Sequence, residues 1–302
     1  MEKLEGGEAE LIKAKTIVGR MGSPDHWFGC EYNMNIYRGC DHGCIYCDSR
    51  SLCYRVENFD TVDTKADCLA IIENDLRRKR KRGIVGTGSM SDPYNTRERD
   101  EELTRGALKL IDRYGFGIHI TTKSTLVLRD LDILCSIARH SPVSVGITIT
   151  TADDDLGRRI EPHAPSSSER FEALRKLNDG GICSGVLMMP ILPFINDTVE
   201  NIEEIVRRTH EEGGKYIFPA MGTTMRPGSR DYFYKTLDLE FPGLRRKYEE
   251  TFGDQYSCGS PNEKELWARF KSLTKEYGIP YKMKDIIDVI KAGEVVEQLS
   301  FF

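Results

Sequence analysis

The stretch NIYRGCDHGCIYCDSR, Asn35 to Arg50, places Cys40, Cys44 and Cys47 in a C-x-x-x-C-x-x-C run directly after a short apolar segment. This group, called the cysteine triad below, is a metal-binding pattern, because soft sulfur ligands at short spacing select zinc, Cu(I) or an iron–sulfur cluster. The number of ligands is informative, since an electron-transfer 4Fe-4S cluster normally takes four cysteines. Three local thiolates would leave one iron open to a substrate or cofactor, which indicates chemistry at that iron.

Two other interpretations of the triad stay open at the level of sequence. A structural zinc site would need Cys30, Cys53 or His42 as a fourth ligand, although zinc loops most often use two C-x-x-C pairs and this chain has one. A plain electron-transfer protein would complete its cluster with Cys53 or Cys30. In an electron-transfer protein, however, the polar residues at the ends of the predicted strands would have no ligand to bind.

Composition excludes several classes of protein. The 302-residue chain is 30% charged and 39% hydrophobic, with a formal net charge of −5, which is typical of a soluble globular protein. No apolar run approaches the roughly 20 residues of a membrane helix, and the charged N-terminus lacks the core of a signal peptide. Nine cysteines, three of them clustered, favour metal binding in a reducing compartment over disulfides. We therefore predict a cytoplasmic monomer with no membrane association.

From Tyr32 onward, short apolar runs alternate with amphipathic helical patterns, which predicts parallel βα units. Six units fit the chain as far as Met221, short of the eight in a closed barrel. The predicted fold class is α/β, a partial (βα)6 TIM-like barrel with a C-terminal helical extension. We divide the chain into an N-terminal extension (1–32), the barrel (33–222) and a C-terminal extension (223–302) packed on the barrel mouth. The first predicted strand ends at Tyr37, and the others span 83–88, 116–122, 143–149, 183–189 and 215–221.

Local signals predict where helices begin and where the chain is irregular. The segment with His26, Trp27 and Phe28 is expected to pack across the start of the core, because clustered aromatic residues are usually buried. Residues 226–234 are predicted as a polar loop, followed by helices near 241–252 and 262–277. The predicted helix caps are Asp63 or Thr64, Asn95 with Glu98, Ser166 with Glu169, and Asp197 with Glu200.

Functional groups in parallel α/β folds gather at the carboxyl ends of the strands. The predicted strand ends carry hydroxyls, a lysine and small residues, which suit an amino acid moiety that needs hydrogen-bond partners at fixed positions. The fifth strand ends in Met188 and Met189, which offer an apolar wall for an adenine. The polar candidates at the strand ends are Ser89, Ser91, Lys123 and Thr148.

The triad spacing, with aromatic Tyr46 before the last cysteine, resembles the signature of the radical S-adenosylmethionine (SAM) superfamily. The resemblance implies a 4Fe-4S cluster on Cys40, Cys44 and Cys47, with SAM on the open iron. It also implies reductive cleavage of SAM to methionine and a 5′-deoxyadenosyl radical, which abstracts hydrogen from a substrate. A flavodoxin- or ferredoxin-type electron donor is implied as well.

A narrower resemblance, from about Asn35 to Met221, is to the spore photoproduct lyase or DNA-repair photolyase-like group. By that resemblance Lys123 pairs with the SAM carboxylate, while Ser89, Ser91 and Thr148 lie near its amino acid end or ribose. Tyr46 would sit over the adenine. Glu161 is expected either in a salt bridge with Arg158, Arg159 or Arg170, or orienting SAM or substrate. The motifs that carry the resemblance are GSMSDPY (88–94), TTKS (121–124), ITITT (147–151), RRIEPHAPSSSER (158–170) and PILP (190–193).

Two departures from that group concern the reaction. True spore photoproduct lyases carry a hydrogen-donating cysteine where this chain has Ser89, and a tyrosine where it has Asp48. A serine O–H is a poor hydrogen donor to a carbon radical, so thymine-dimer repair by that route is not expected. Cys258, in a Gly, Ser and Pro loop, is the alternative hydrogen donor, although it could instead bind a second metal or have no role.

The reaction class stays open between lyase, transferase and oxidoreductase, and the substrate is open as well. Nucleic acid is the first expectation because of the photolyase-like resemblance, and a peptide or small metabolite is the alternative. Four arginines predicted near the mouth, Arg158, Arg159, Arg226 and Arg230, are candidates for phosphate contacts. The hexamer RRKRKR, Arg77 to Arg82, is called the basic run below. It is expected at the opposite face, as a solvated helix end, a docking point for an acidic electron donor or a distal nucleic-acid contact.

Overall fold

Short buried strands alternate with amphipathic helices through residues 11–23 and 25–292, the part of the chain that the computed structural model describes. Many of the strands are built from β-branched residues, which suit a pleated and buried surface. The strands are β1 Leu11–Ile12, β2 Val18–Arg20, β3 Cys30–Met34, β4 Tyr37–Arg38, β5 Asp63–Lys65, β6 Ile84–Thr87, β7 Gly117–Thr122, β8 Val143–Thr148, β9 Cys183–Met188, β10 Ile217–Pro219, β11 Gly222–Thr224 and β12 Ser257–Gly259.

The helices either cover the sheet or belong to the part of the chain that follows the last barrel strand. They are α1 Cys68–Arg78, α2 Glu98–Glu101, α3 Leu103–Arg113, α4 Leu131–Ala138, α5 Asp154–Ile160, α6 Ser167–Asp179, α7 Val199–Glu211, α8 Ser229–Glu240, α9 Leu244–Phe252, α10 Glu263–Tyr277 and α11 Met283–Ala292. No helix within the described ranges is both long and apolar enough to cross a membrane.

The main sheet has seven strands in the order β10-β9-β8-β7-β6-β3-β2. Six of them are parallel neighbours, and β2 joins the edge antiparallel to β3. Because the edge strands β2 and β10 do not pair with each other, the sheet is an open barrel. This confirms the predicted α/β fold with six parallel units. The carboxyl ends of these strands form the mouth.

The two ends of the barrel are closed by different parts of the chain. At the amino ends of the strands, Ile286 and Ile290 of α11 pack with Phe28, Ile84 and Tyr216, all of them buried. At the carboxyl ends, the antiparallel strand pair β11–β12 lies beside the mouth, and it is called the hairpin below although α8 and α9 connect its strands. Helix α10 packs against α7. The C-terminal extension therefore reaches both ends of the barrel. Phe28 packs on the core as expected, stacked 4.1 Å from His119.

Two predicted helix caps and one predicted loop are wrong, each at a segment where distant partners, such as Ser260 bonded to Asp197, contribute to the local structure. Asp63 and Thr64 form β5, which pairs with β1 and β4, so α1 begins later, at Cys68. The cap of α7 is Thr198 rather than Asp197. Residues 229–240, within and beyond the predicted loop, form α8, whose Phe233 packs against Tyr248 of α9.

Other boundaries agree better with the sequence. The capping box of Ser166 with Glu169 is confirmed at the start of α6. Asn95 accepts the Glu98 amide at 3.3 Å, but the predicted capping box is not formed, because the Glu98 carboxylate accepts from Tyr37 and Thr104 instead. A short break at Glu102 then separates α2 from α3. The proposed domain boundary at residues 32/33 falls inside β3. The outer ends of the two extensions, 1–10 and 293–302, lie outside the described residues.

Candidate active site

The cysteine loop follows β4 and is fixed by backbone hydrogen bonds at both ends. The Cys40 amide donates to the Phe59 carbonyl at 2.8 Å, and the Ile45 amide donates to Ile160 at 3.0 Å. Gly39 has φ +79°, and a Cβ there would lie 2.1 Å from the Thr61 carbonyl oxygen. Only glycine fits this turn, because both the conformation and the close backbone exclude a side chain. The sequence RGC thus sets the direction in which the loop enters the barrel mouth.

The three cysteines of the triad line one small cavity of about 120 Å³. Within the described ranges all cysteines are free thiols, and no three His, Cys, Asp or Glu side chains converge on a point that one metal ion could occupy. Three thiols that line one cavity fit a multinuclear cluster, in which each cysteine would bind a different iron. We call this space the cysteine cavity.

Burial keeps the Cys40 and Cys44 thiols protonated when no cation is present. Burial raises the pKa of Cys44 to about 12. The pKa of Cys40 is also raised, first by burial and then by the nearby Asp92 carboxylate. Because only a thiolate binds metal, loading of the site must release protons, and the bound cations must compensate the buried negative charge.

A second cavity of about 660 Å³ adjoins the first and opens at the barrel mouth. Its volume falls in the roughly 300–1,000 Å³ range of small-molecule sites. The two cavities share Tyr46, Cys47, Ser89, Lys123 and Thr148 in their walls. A ligand in this mouth cavity would therefore reach the thiols directly.

Lys123 stands between the two cavities with no hydrogen bond or ion pair from its ammonium group to any residue in 11–23 or 25–292. Its position is fixed through its backbone, because the Lys123 amide donates to Asp92 Oδ2 at 2.8 Å. The ammonium lies 5.5 Å from the centre of the Tyr46 ring. Burial lowers the pKa of Lys123, but Cys44 and Glu161 raise it by more, so the net shift is upward. The site thus holds a free cation that faces a ligand space.

Glu161 lies behind the cavity walls. Its Oε2 forms an ion pair with Arg170 at 2.5 Å, and both side chains are 1% exposed. Its other oxygen accepts a hydrogen bond from the Tyr46 hydroxyl. Burial alone would raise the pKa of Glu161, but Arg170 and then Lys123 lower it below the usual value. Of the two roles expected for Glu161, the salt bridge with Arg170 is present, and the carboxylate acts on the site through Tyr46.

Arg170 is an anchor whose importance the sequence did not indicate. Its guanidinium also donates to the carbonyls of Thr148 and Pro165, each at 2.8 Å. It therefore links the end of β8 to the loop before α6, and through Glu161 to the cysteine loop. The sequence offered Arg170 only as one of three candidate partners of Glu161, and it did not indicate the bonds to Thr148 and Pro165.

The other predicted site residues differ in what they contact. Ser89 is exposed and lines both cavities, as does Thr148, while Met189 lines the mouth cavity only. Ser91 lines the cysteine cavity, but its hydroxyl donates to the Gly39 carbonyl at 2.5 Å. Ser91 therefore holds the cysteine loop. Asp92, which we did not single out, plays a similar role for Thr122 and Lys123.

The structure does not bring Cys258 into either cavity. The residue is fully buried in an aromatic cluster with Phe233 and Tyr248, and burial raises the pKa of its thiol. Its strand neighbours Ser257 and Gly259 line the mouth cavity instead, because alternate residues of β12 face opposite sides. The hairpin wall is a part of the site that sequence patterns missed.

Of the three residues considered as a fourth ligand to the metal, only His42 lies at the cysteine cavity. Cys30 is buried in the apolar layer with Phe28 and Ile84, and Cys53 is exposed beside Arg226. His42 does line the cysteine cavity, where its Nδ1 lies 3.4 Å from an Asp92 oxygen. A fully ligated cluster with Cys30 or Cys53 therefore has no support from this arrangement.

The arginines predicted near the mouth already have partners in the protein. Arg226 lies 3.3 Å from Asp48 and donates to the Tyr54 hydroxyl at 2.9 Å. Arg158 pairs with Asp155, and Arg159 and Arg230 donate to backbone carbonyls. A phosphate would have to compete with these contacts.

Comparison with known sequences gives the same assignment along most of the chain. The family model for the radical SAM superfamily matches residues 34–208. An uncharacterized protein of Methanocaldococcus jannaschii is 34% identical over 279 residues, which cover 91% of this chain and 93% of that protein. An uncharacterized protein of Mycobacterium tuberculosis is 29% identical over 229 residues, which cover 74% of this chain and 67% of that protein.

Solved structures share the fold at low sequence identity. Spore photoproduct lyase in complex with dinucleoside spore photoproduct superimposes with a TM-score of 0.61 and 16% identity, covering 91% of this chain and 85% of that chain. The radical SAM methyltransferase TsrM from Kitasatospora setae, solved with tryptophan and a SAM analogue, gives a TM-score of 0.54 at 12% identity, covering 80% and 51%. These likenesses agree with the open barrel and its mouth. Together with the family match over the cysteine loop and the barrel strands, they lead to one assignment: the chain belongs to the radical SAM superfamily, whose members bind SAM and a 4Fe-4S cluster.

Proposed function

We propose that this protein is an enzyme that holds a 4Fe-4S cluster through Cys40, Cys44 and Cys47 and binds SAM in the mouth cavity. Bound there, the cluster and its open iron would supply the electron that cleaves SAM to methionine and a 5′-deoxyadenosyl radical, which takes a hydrogen atom from a substrate. The observation that carries this proposal is the unpaired ammonium of Lys123 between the two cavities. A partly buried cation that has no ion-pair partner among the described residues favours an anionic ligand, and the SAM carboxylate would provide one.

Several residues of the chain would orient SAM around this charge. The ring of Tyr46 lies in the wall of both cavities and is held by Glu161, which suits stacking on the adenine. Ser89 and Thr148 present hydroxyls toward the ribose or amino acid end. The Met189 side chain supplies an apolar surface. Ser91 and Glu161, which were expected to contact SAM, are proposed to act as positioning residues instead.

The barrel walls would protect the radical from water. The hairpin β11–β12 brings Ser257 and Gly259 to the mouth cavity, and Trp27 lines the same cavity from the N-terminal segment. A substrate entering between these walls would displace the remaining solvent, which is the environment that a carbon radical requires. An external electron donor of the flavodoxin or ferredoxin type is proposed to reduce the cluster.

The substrate is proposed to be a nucleic acid, on the strength of the likeness to spore photoproduct lyase. The overall reaction is proposed to differ from that enzyme's, because Ser89 and Asp48 replace its hydrogen-donating cysteine and its tyrosine. A peptide or a small metabolite is the alternative substrate. Cys258 is not carried into the proposed mechanism, since its thiol is buried behind the hairpin.

The test is hydrogen transfer into 5′-deoxyadenosine under anaerobic conditions. Reconstituted protein is given SAM, a reductant and a deuterated substrate pool, either oligonucleotide, peptide or metabolite extract, and 5′-deoxyadenosine is analysed by mass spectrometry. We expect deuterium in 5′-deoxyadenosine with the oligonucleotide pool and not with the others. Label from the peptide or metabolite pool alone would refute the substrate assignment while preserving the chemistry.

A matched pair of variants tests the role of the charge. Lys123→Met removes the ammonium that faces the cavities, and Lys109→Met removes an exposed lysine on α3. Only the first should reduce 5′-deoxyadenosine formation at low SAM concentration. Equal behaviour of the two variants would contradict the proposed SAM site.

A further inference from the structure

The basic run is a group of six consecutive cations without an ion-pair partner. None of its six side chains lies within an ion-pair distance of a carboxylate in the described ranges of the chain. Several other exposed helical arginines pair with acids one turn away, such as Arg207 with Glu204 and Glu211, and Arg246 with Glu250. In a chain of net charge −5, an unpaired group of six cations is a marked local exception.

The acidic groups nearest to the basic run are already occupied. Asp75 accepts hydrogen bonds from the Ile17 and Val18 amides at 2.8 and 3.0 Å. Glu73 accepts the Tyr114 hydroxyl at 3.0 Å, and Glu31 accepts the Ile84 amide at 2.6 Å. These carboxylates are oriented by bonds within the fold, and none of them forms an ion pair with a side chain of the run.

Two side chains of the run are fixed, and they hold the rest outward. The Lys79 ammonium donates to the Val18 carbonyl at 2.7 Å, and the Arg82 guanidinium lies 4.9 Å from the centre of the Phe116 ring. The Lys81 carbonyl accepts the Tyr32 hydroxyl at 2.9 Å. Between these anchors Arg80 and Lys81 are exposed. Before Lys79, Arg78 is also exposed, and Arg77 is exposed with only a hydrogen bond to Asn74. The exposed Arg20 on β2, opposite Tyr32, extends the same surface.

The surface lies at the amino ends of the barrel strands. The run connects the end of α1 to the start of β6, and Phe116 directly precedes β7. The cysteine cavity lies at the opposite ends of these strands. A redox partner bound to the run would therefore sit at the end of the barrel away from the cluster, which argues against an electron donor here.

We propose that the basic run is a docking surface for the phosphate backbone of a nucleic acid. Arginines predominate in the run, and their planar guanidinium groups bind phosphate oxygens through paired hydrogen bonds. A polyanion with regularly spaced charges can engage several of these side chains at once. The contact carries no sequence information, because phosphates position a nucleic acid without reading its bases. This surface is distinct from the mouth, and it stands whether or not the enzyme's substrate is itself a nucleic acid.

The test is fluorescence anisotropy of labelled 20-nucleotide probes, one a single-stranded RNA and one a DNA duplex, titrated with the protein at several salt concentrations. Four phosphate contacts to a duplex predict a slope of log K against log salt of about −3.6, or roughly 150-fold weaker binding at 200 mM than at 50 mM salt. The triple variant Arg78→Gln, Arg80→Gln, Lys81→Gln should lower the magnitude of that slope by about 2.7.

The control variant removes the same charge elsewhere. Lys271, Lys275 and Lys282 are exposed on and after α10, and their joint replacement by Gln should leave both the affinity and the slope close to those of the wild type. Unchanged thermal midpoints show that both variants are folded. The proposal is overturned if the wild type binds neither probe at 50 mM salt, or if the control loses as much affinity as the triple variant. It is also overturned if polyglutamate displaces the probe from the protein as readily as unlabelled DNA does. Formation of 5′-deoxyadenosine, measured separately, tests the proposed chemistry without depending on this surface.

Discussion

Replacement of Glu161 by glutamine removes one charge from a buried ion pair at the back of the site. Arg170 would keep its bonds to the Thr148 and Pro165 carbonyls but lose its anionic partner, with its side chain 1% exposed. Loss of one member of a buried pair costs about 3–5 kcal/mol, because the remaining charge stays desolvated. We therefore expect the free energy of unfolding of E161Q to fall by about that amount at neutral pH.

Urea unfolding of the protein, monitored by circular dichroism, measures this loss. With an m-value of about 3 kcal/mol/M, the midpoint should fall by roughly 1 M or more. The matched control is Glu172→Gln on α6, the helix that carries Arg170, where an exposed carboxylate pairs with Lys176 at 2.8 Å. Exposed pairs contribute about 0–1 kcal/mol, so its midpoint should scarcely move. Equal shifts for E161Q and E172Q would refute the assignment of the Glu161–Arg170 pair as a main support of the site.

The Glu161–Arg170 pair also predicts how the difference in unfolding free energy between the wild type and E161Q depends on pH. Because the folded state lowers the pKa of Glu161, its stabilising contribution is fully present above the unfolded pKa of about 4.3 and is lost as pH falls through the lower folded pKa. Glutamine cannot titrate. The wild type and E161Q should therefore differ most above pH 5 and approach each other in stability below about pH 4. A difference that stays constant down to acid unfolding would contradict a charged Glu161.

Three further predictions concern the ligands and the thiols. Lys123→Met should weaken SAM binding by roughly 10- to 150-fold, because it removes a charge-assisted hydrogen bond of about 1.5–3 kcal/mol. Its iron content and the SAM affinity of the Lys109→Met control should stay unchanged. Equilibrium dialysis with labelled SAM measures this, and unchanged affinity in Lys123→Met would show that the ammonium has another partner. Alanine at any one position of the cysteine triad should abolish iron and sulfide binding after anaerobic reconstitution, whereas Cys53→Ala should retain both; iron loss in the Cys53 variant would point to a fourth ligand. Cys258→Ala should leave the rate of 5′-deoxyadenosine formation unchanged, because its thiol lies outside both cavities; liquid chromatography of the products checks this, and a large loss of rate in a folded variant would return Cys258 to the mechanism.

The features that sequence predicted well are those fixed by neighbouring residues. The cysteine triad forms its cavity because its three members lie within one loop, and the Ser166 capping box closes within a single helical turn. The six parallel units followed from the alternation of apolar runs and amphipathic helices. Lys123 could be placed because strand ends in such folds meet at one edge.

The features that sequence missed depend on contacts between distant segments. Asp63 and Thr64 look like a helix cap, but pairing with β1 and β4 makes them a strand. The hairpin β11–β12 joins Thr223 to Cys258, and no local pattern predicts that pairing. The buried partner of Glu161 could be narrowed to three arginines from the sequence, but only the packing of α6 against β8 selects Arg170.

The most direct test of the account is whether SAM binds an iron held by only three protein thiolates. Electron–nuclear double resonance on the anaerobically reconstituted and reduced protein, with SAM labelled at the carboxylate and amino groups, reports that contact. We predict hyperfine coupling from both labels to a 4Fe-4S cluster in the wild type and none in a variant that lacks one cysteine of the triad. A protein that holds a single zinc ion, or a cluster whose spectrum is unaffected by SAM, would contradict the proposed three-cysteine site.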